Sequence, residues 1–300
     1  MTHELQHGVI LGGVAVVPDL EAALHDYRDI LGMSVIEQGT LPADLADSWG
    51  CPKSAGLPMA ILQPASGADC HIRLVEQPDH PGFKPTTTYG WAAYELTVQD
   101  VFGWPDRLTD SGFDIVGPPR ELAGLPYFVP MQVLGTGQEM VYLNEVRENT
   151  PSSDLPKAQS PTDHIFIVIL ATPDRAATVK WYCEQVLLTE ADTYTLAYSM
   201  INNAFGKPAD TMSELTMVQN GRLPIIEVDD YPEEATNRGR HDGMLPPGNA
   251  LVSLAVNDLD QIAVDWISTP QIRDSAPYCG RRTGTTTGPA GELLELIEIG

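Results

Sequence analysis

The chain is poor in basic residues, poor in cysteine and free of long apolar runs. Seventeen Lys and Arg stand against 41 Asp and Glu, a formal charge of −24. A field of that sign repels phosphate backbones, and Arg281-Arg282 is the only adjacent basic pair, so nucleic acid is not an expected partner. The four cysteines (Cys51, Cys70, Cys183, Cys279) are scattered with no CxxC spacing, which argues against a disulfide framework or a thiolate metal site and for reduced thiols. No apolar stretch reaches the 18 or so residues of a membrane helix, so no membrane association is expected. The opening Met1-Thr2-His3-Glu4-Leu5 lacks the basic-then-apolar pattern of a signal peptide. The expectation is a cytoplasmic protein. No complete dinucleotide fingerprint surrounds Gly135-Thr136-Gly137, and no Ser-His-Asp arrangement can be argued.

What is present is a duplication. Pro18-Asp19-Leu20-Glu21-Ala22 with Tyr27 returns as Pro173-Asp174-Arg175-Ala176-Ala177 with Tyr182. Trp49-Gly50-Cys51-Pro52 returns as Phe205-Gly206-Lys207-Pro208, and Glu139-Met140-Val141-Tyr142-Leu143 as Glu292-Leu293-Leu294-Glu295-Leu296. A duplicated chain allows its copies to be compared directly, and chemical residues that differ between matched scaffolds point toward function. A polar, proline-rich tract at residues 149–162 reads as the linker, dividing the chain into domains 1–148 and 163–300.

Each half divides again. In the first quarter an apolar segment (9–17) precedes Pro18-Asp19, a helix start. Leu20, Ala23, Leu24, Tyr27 and Leu31 then recur at helical spacing until Gly32. Strand-like segments follow at 34–38, 58–63 and 70–77. The second quarter places strands at 91–98, 113–116, 128–134 and 140–146 around a helix at 100–109. The third has strands at 164–170, 194–200, 214–219 and 224–228 with a helix at 174–186. The fourth has a strand at 250–256, a helix at 259–267, and strands on both sides of Gly288-Pro289-Ala290-Gly291. The order β-α-β-β-β occurs four times, an α+β chain of four modules.

That order, with Val14–Met33 and with Gly288–Glu298 as the closing turn and strand, resembles the vicinal oxygen chelate superfamily, which includes glyoxalase I, extradiol dioxygenases and bleomycin-resistance proteins. The resemblance implies paired modules whose strands curve into open cups. It also implies a divalent metal (iron, manganese, nickel or zinc) held by His or Gln near a module's start and Glu near its end, with substrate oxygens on its open positions. Carried over by position, Glu295 and Glu227 match the closing glutamates and His164 the opening histidine, although strict counting lands on Ile167. Asn249 stands where a second histidine would be expected. In the first half Arg73 and Tyr142 replace the glutamates, so residues 1–148 are expected to lack a metal.

Hydrophobic residues in or beside the segments between second and third strands, Trp49, Phe205, Met200 and Met212, read as candidate pocket walls, with Arg73 and Tyr142 as candidate hydrogen-bond donors to a ligand. Core or interface packing would explain the same residues. Two readings stay open. One is a metal-dependent dioxygenase or a lyase or isomerase on a small aromatic or dicarbonyl molecule, with Glu227 or Glu295 as base. The other is a metal-free binding protein of the bleomycin-resistance type. A homodimer is compatible with either.

Overall fold

The computed structural model describes residues 5–122 and 125–300; the sequence reading of Met1-Thr2-His3-Glu4 lies outside them. Among the described residues, sixteen strands form four modules. The first contains β1 (Ile10–Val17), β2 (Ser34–Thr40), β3 (Pro58–Gln63) and β4 (His71–Glu76). The second contains β5 (Gly90–Val98), β6 (Asp114–Gly117), β7 (Phe128–Leu134) and β8 (Met140–Val146). The third contains β9 (Thr162–Thr172), β10 (Thr189–Ala197), β11 (Met212–Asn220) and β12 (Leu223–Asp230). The fourth contains β13 (Gly248–Val256), β14 (Gln271–Arg273), β15 (Arg281–Thr287) and β16 (Leu293–Glu298). The helices are α1 (Leu20–Leu24), α2 (Ala43–Ser48), α3 (Trp104–Arg107), α4 (Arg175–Gln185) and α5 (Ser199–Ala204). None is long and apolar enough to cross a membrane.

The two duplicated helices begin alike. The Asp19 and Asp174 carboxylates accept the backbone N–H of Ala22 and of Ala177, each at 3.0 Å, satisfying donors that the first turn leaves open. After α1 the chain widens into a π-helical turn, His25–Ile30, and leaves it at Gly32 with φ +75°. The matching residue after α4 is Leu187, held at φ +62° despite its side chain, a conformation that costs roughly 1–2 kcal/mol outside glycine. Two expected helices are shortened. Residues 100–109 form a 3₁₀ turn followed by α3, with Gly103 and Pro105 breaking the run. Residues 259–267 keep only a 3₁₀ turn, Leu259–Gln261, beyond which Trp266 pairs with Thr286 as an isolated bridge. The segment expected as strand at 194–200 ends at Ala197, and Met200 lies on α5.

The sheets do not divide along the duplication. One sheet runs β14-β15-β16-β13-β1-β4-β3-β2, the other β10-β11-β12-β9-β5-β8-β7-β6. The first module therefore joins the fourth through antiparallel β1 and β13, and the second joins the third through antiparallel β5 and β9. Residues 163–300 do not close a cup of their own, because β13 spends its second edge on β1 rather than on β9. Both eight-stranded sheets are complete within one chain.

One face of each sheet is the inside of a cup. The outer faces, with α1, α4 and Trp104, pack into one continuous apolar core between them. Two matching buried contacts cross that core. The Tyr27 hydroxyl donates to Glu139 Oε1 at 3.1 Å and the Tyr182 hydroxyl to Glu292 Oε1 at 2.7 Å. Each joins a helix of one sheet's module to the last turn of the other's. Gly135 and Gly288 are required beneath them: a Cβ at either would meet the glutamate carboxyl at 2.0 Å. Burial pushes both carboxyls up to about 7 from the usual 4.5.

A carboxyl raised in this way keeps its proton in the folded chain at pH values where the unfolded chain has released it. The stability it contributes is full below about pH 4.5 and is lost as pH rises toward 7. Urea unfolding at pH 5 and pH 8 is expected to show the wild type less stable at pH 8. Glu139→Gln and Glu292→Gln should each shrink that difference, by on the order of 1–3 kcal/mol. An unchanged difference in both variants would sink this account, since general charge repulsion at −24 survives the substitutions.

Candidate functional site

The position that closes each module, on its last strand, falls at Arg73, Tyr142, Glu227 and Glu295. The sheet pairing sorts these four two by two. Arg73 on β4 and Glu295 on β16 face into the first cup, while Tyr142 on β8 and Glu227 on β12 face into the second.

In the first cup, register places Glu295 beside Ser253 and Ser253 beside Gly12, with Arg73 beside Val14. Glu295 is fully enclosed and accepts three hydrogen bonds: from Trp49 Nε1 at 2.9 Å, from the Tyr278 hydroxyl at 2.9 Å and from Ser253 Oγ at 2.7 Å. Arg73 donates Nη1 to the same Tyr278 hydroxyl at 3.3 Å. Its guanidinium lies 5.1 Å from the centroid of the Trp49 ring and 5.6 Å from that of Tyr278, and its Nε has no hydrogen-bond partner among the described residues. Tyr278 thus relays between a buried cation and a buried carboxyl. Trp49 arrives on the segment after α2, and the cup is filled by that segment, Leu245 and Tyr278. His71, beside Arg73, is pushed down to about 3 by burial and then by the Arg73 charge, so it is neutral. The Cβ of any larger residue at Gly12 would meet the His71 ring at 2.5 Å, which leaves no room for a ligating side chain there.

In the second cup, Glu227 pairs with Ile169 and Ile169 with Ala93, while Tyr142 pairs with Glu95 and Glu95 with Ile167. Tyr198, just before α5, donates its hydroxyl to Glu227 Oε1 at 3.0 Å and lies 3.3 Å from the Tyr142 hydroxyl. Asn144 donates Nδ2 to Glu95 Oε2 at 2.7 Å. Burial, and then the charge of Glu227, raises the Glu95 carboxyl. Burial raises Glu227, and burial together with Glu227 raises Asp229. Glu227 and Asp229 lie within mutual hydrogen-bonding reach, a contact that two acceptors make only when one of them carries the proton. Met140, Tyr142, Ile169, Met200, Asp229 and Tyr231 line a space of about 10 Å³ here, enough for one water. Among the described residues, Thr97 Oγ1, Asn144 Oδ1 and Asp229 Oδ1 are buried without a hydrogen-bond partner.

The metal set expected from the sequence is not assembled. Glu227 and Glu295 stand on different sheets. His164 lies five residues along β9 from the partner of Glu227, roughly 16 Å at the rise of an extended strand, and its Nδ1 is 3.0 Å from Asp163. The position that strict counting indicated, Ile167, is the one that borders Glu95, and it is apolar. Asn249 is no ligand: its side chain accepts the Met140 N–H at 2.9 Å and donates to the Met140 carbonyl at 3.1 Å, pinning β13 to the start of β8. Among the described residues no group of three His, Cys, Asp or Glu side chains could hold a metal ion. The donors present therefore do not fit the group that the resemblance implied.

The expected pocket wall also separates. Met200 and Tyr142 meet in the second cup and Arg73 lies in the first. Phe205 packs edge-on against Tyr231 at 5.9 Å, and Met212 is exposed. Sequence reasoning missed Glu95, Asp229, Tyr198 and Tyr278. Glu95 had a signal, a lone carboxyl in the apolar run Trp91–Val98; the tyrosines come from loops and had none. The two buried thiols are not poised as nucleophiles: burial pushes Cys51 up to about 11 and Cys70 up to about 12.

With this geometry in place, comparison with known proteins is informative. Residues 9–130 match the model of the Glyoxalase/Bleomycin resistance protein/Dioxygenase superfamily. Glyoxalase I from Zea mays superposes with a TM-score of 0.60 over 97% of this chain and 92% of its own, at 16% identity. A proposed dioxygenase from Bacillus subtilis superposes with a TM-score of 0.61 over 98% of this chain and 86% of its own, at 13% identity. At such identities the likeness is one of fold. No curated protein matches the sequence. The superfamily's model thus covers residues 9–130 of this chain, and the two cups as a whole share the fold of glyoxalase I.

Arg73 is buried beside a hydroxyl and two aromatic faces, and Glu295 depends on the same tyrosine. Arg73→Ala is expected to destabilise the fold by about 3 kcal/mol or more, the cost of leaving a buried charge partner unbalanced. The double variant Arg73→Met/Glu295→Gln should recover part of that loss in urea unfolding. Strict additivity of the two single variants would show that they do not communicate.

Proposed function

We propose that this protein binds a small uncharged molecule in the second cup without a metal, and that Glu227, Tyr198 and Tyr142 contact it. The observation that carries this reading is the concentration of unmatched polarity there. Three buried polar atoms without partners among the described residues and three raised carboxyls stand on β5, β8 and β12 of this cup, and one of them, Asp229, shares a small space with Met140, Ile169 and Met200. Each unsatisfied buried group costs about 1–3 kcal/mol, and a bound molecule with its own polar atoms would offset that cost. Protonated carboxyls are donors, so they favour a carbonyl- or hydroxyl-bearing ligand, aromatic or dicarbonyl, over an anion. The space as it stands takes one water, so entry requires the segment from Tyr198 through α5 to swing away. Its six-residue helix has no side-chain cap at its start.

A second reading rests on Glu227 itself. Its raised carboxyl, bonded to a tyrosine hydroxyl and only partly buried, suits a metal-independent isomerase or lyase in which Glu227 takes a proton from the bound molecule.

Elemental mass spectrometry of untagged protein, purified without chelator, is expected to find well below one equivalent of iron, manganese, nickel or zinc, with no thermal stabilisation on adding them. A panel of small aromatic ketones, phenols and dicarbonyls should include compounds whose binding weakens roughly tenfold, about 1.4 kcal/mol, in Glu227→Gln or Tyr142→Phe. Near one equivalent of metal, lost in Glu227→Gln, would overturn the metal-free reading.

A further inference from the structure

A second cavity, of about 180 Å³, opens between the two sheets where β5 and β13 begin and the turn before β16 passes. It belongs to neither cup. Arg238, Arg240, Asn237, Asn249 and Glu292 line it. Arg238 donates Nε to Thr88 Oγ1 at 3.1 Å, Nη1 to the Asn249 carbonyl at 2.9 Å and Nη2 to the Trp91 carbonyl at 2.8 Å. It also covers the Phe83 ring at 5.1 Å. These acceptors are all neutral. A guanidinium has five N–H donors, so two remain after the three bonds seen among the described residues. Burial holds Arg238 down to about 10, which leaves it charged at neutral pH.

The one carboxyl in the lining does not balance that charge. Glu292 is raised to about 7, and its oxygens are already engaged: Oε1 by the Tyr182 hydroxyl and Oε2 by the Ala290 N–H at 2.8 Å. Arg240 brings a second cation whose recorded contact is weak, to the Cys51 sulfur at 3.8 Å. In a chain with 17 basic residues against 41 acidic ones, two arginines meet at one cavity whose single lining carboxyl, Glu292, is hydrogen-bonded to Tyr182 and Ala290 and to neither arginine among the described residues. A planar fork with spare donors and a neighbouring point of positive charge is the arrangement that takes an oxyanion.

We propose that the cavity between the sheets is a binding site for a small oxyanion, a carboxylate or a phosphate, gripped by Arg238 and Arg240. The site spans the starts of β5 and β13, one from each sheet, so an anion there ties the two sheets together at the point where Arg238 already bridges their backbones. It stands independently of the ligand assigned to the second cup.

Thermal unfolding and calorimetric titration with potassium succinate, potassium phosphate and, at matched ionic strength, potassium chloride test it. The expected result is a saturable rise in Tm with succinate or phosphate and none with chloride. Arg240→Ala, which removes an exposed side chain, should weaken the apparent affinity about tenfold. Arg238→Lys keeps the charge, removes the fork and should weaken it further, while Arg107→Ala, an exposed arginine elsewhere, should leave it unchanged. Binding of both anions marks a general oxyanion site, and of succinate alone a carboxylate site. Stabilisation equalled by chloride, or retained undiminished in Arg240→Ala and in folded Arg238→Lys, would overturn the proposal.

Discussion

The antiparallel pairing of β1 with β13 and of β5 with β9 is the constraint on which the rest of the molecule depends. A four-stranded module has an edge that must be paired or covered, and in this chain each edge finds its partner in the opposite half. Everything chemical follows from that choice. It decides that Arg73 shares a cup with Glu295 and Tyr142 with Glu227, and it separates the two glutamates that similar sequence positions would have put side by side.

The two cups treat their closing positions differently. In the first, a guanidinium stands where a closing glutamate would be and works at a distance on Glu295 through the Tyr278 hydroxyl, with Trp49 capping both. A buried arginine and a buried carboxyl without direct contact are costly unless their remaining valences are hydrogen-bonded; Glu295 is fully served by three donors, Arg73 only in part. The cup is packed solid around them. In the second, the replacement is a tyrosine, and among the described residues no cation pairs with Glu227. The carboxyls there respond by holding protons, as buried acids do. One cup has become core and the other retains unmatched polarity, which is why the functional reading rests on the second.

The sheets are held back to back by a separate device, written twice. Tyr27 with Glu139 and Tyr182 with Glu292 each cross the central core, and each needs a glycine beneath the carboxyl. These contacts run within the sequence halves, whereas the strand pairings run between them. The halves are thereby laced together in both directions, and neither can be removed without exposing a sheet edge and the shared core.

Much of this was legible in the chain itself. The repeated Pro-Asp helix starts gave the caps at Asp19 and Asp174, because a carboxylate at that position meets the open N–H groups of the first turn wherever the helix lies. Alternating apolar residues gave the strands, and matched closing positions gave Arg73, Tyr142, Glu227 and Glu295, because side-chain direction in a strand repeats every second residue. These are local or periodic properties, and periodicity survives in one dimension. Which module pairs with which is not periodic: β13 fits β1 or β9 equally well as a pattern of hydrophobic residues, and only the packing of all sixteen strands selects one. The same holds for Trp49, Tyr198, Tyr278 and Arg238, which reach their sites from loops. Their partners lie as far as 246 residues away along the chain, as for Trp49 and Glu295, so the sequence determined the modules and the tertiary structure alone decided what each cup contains.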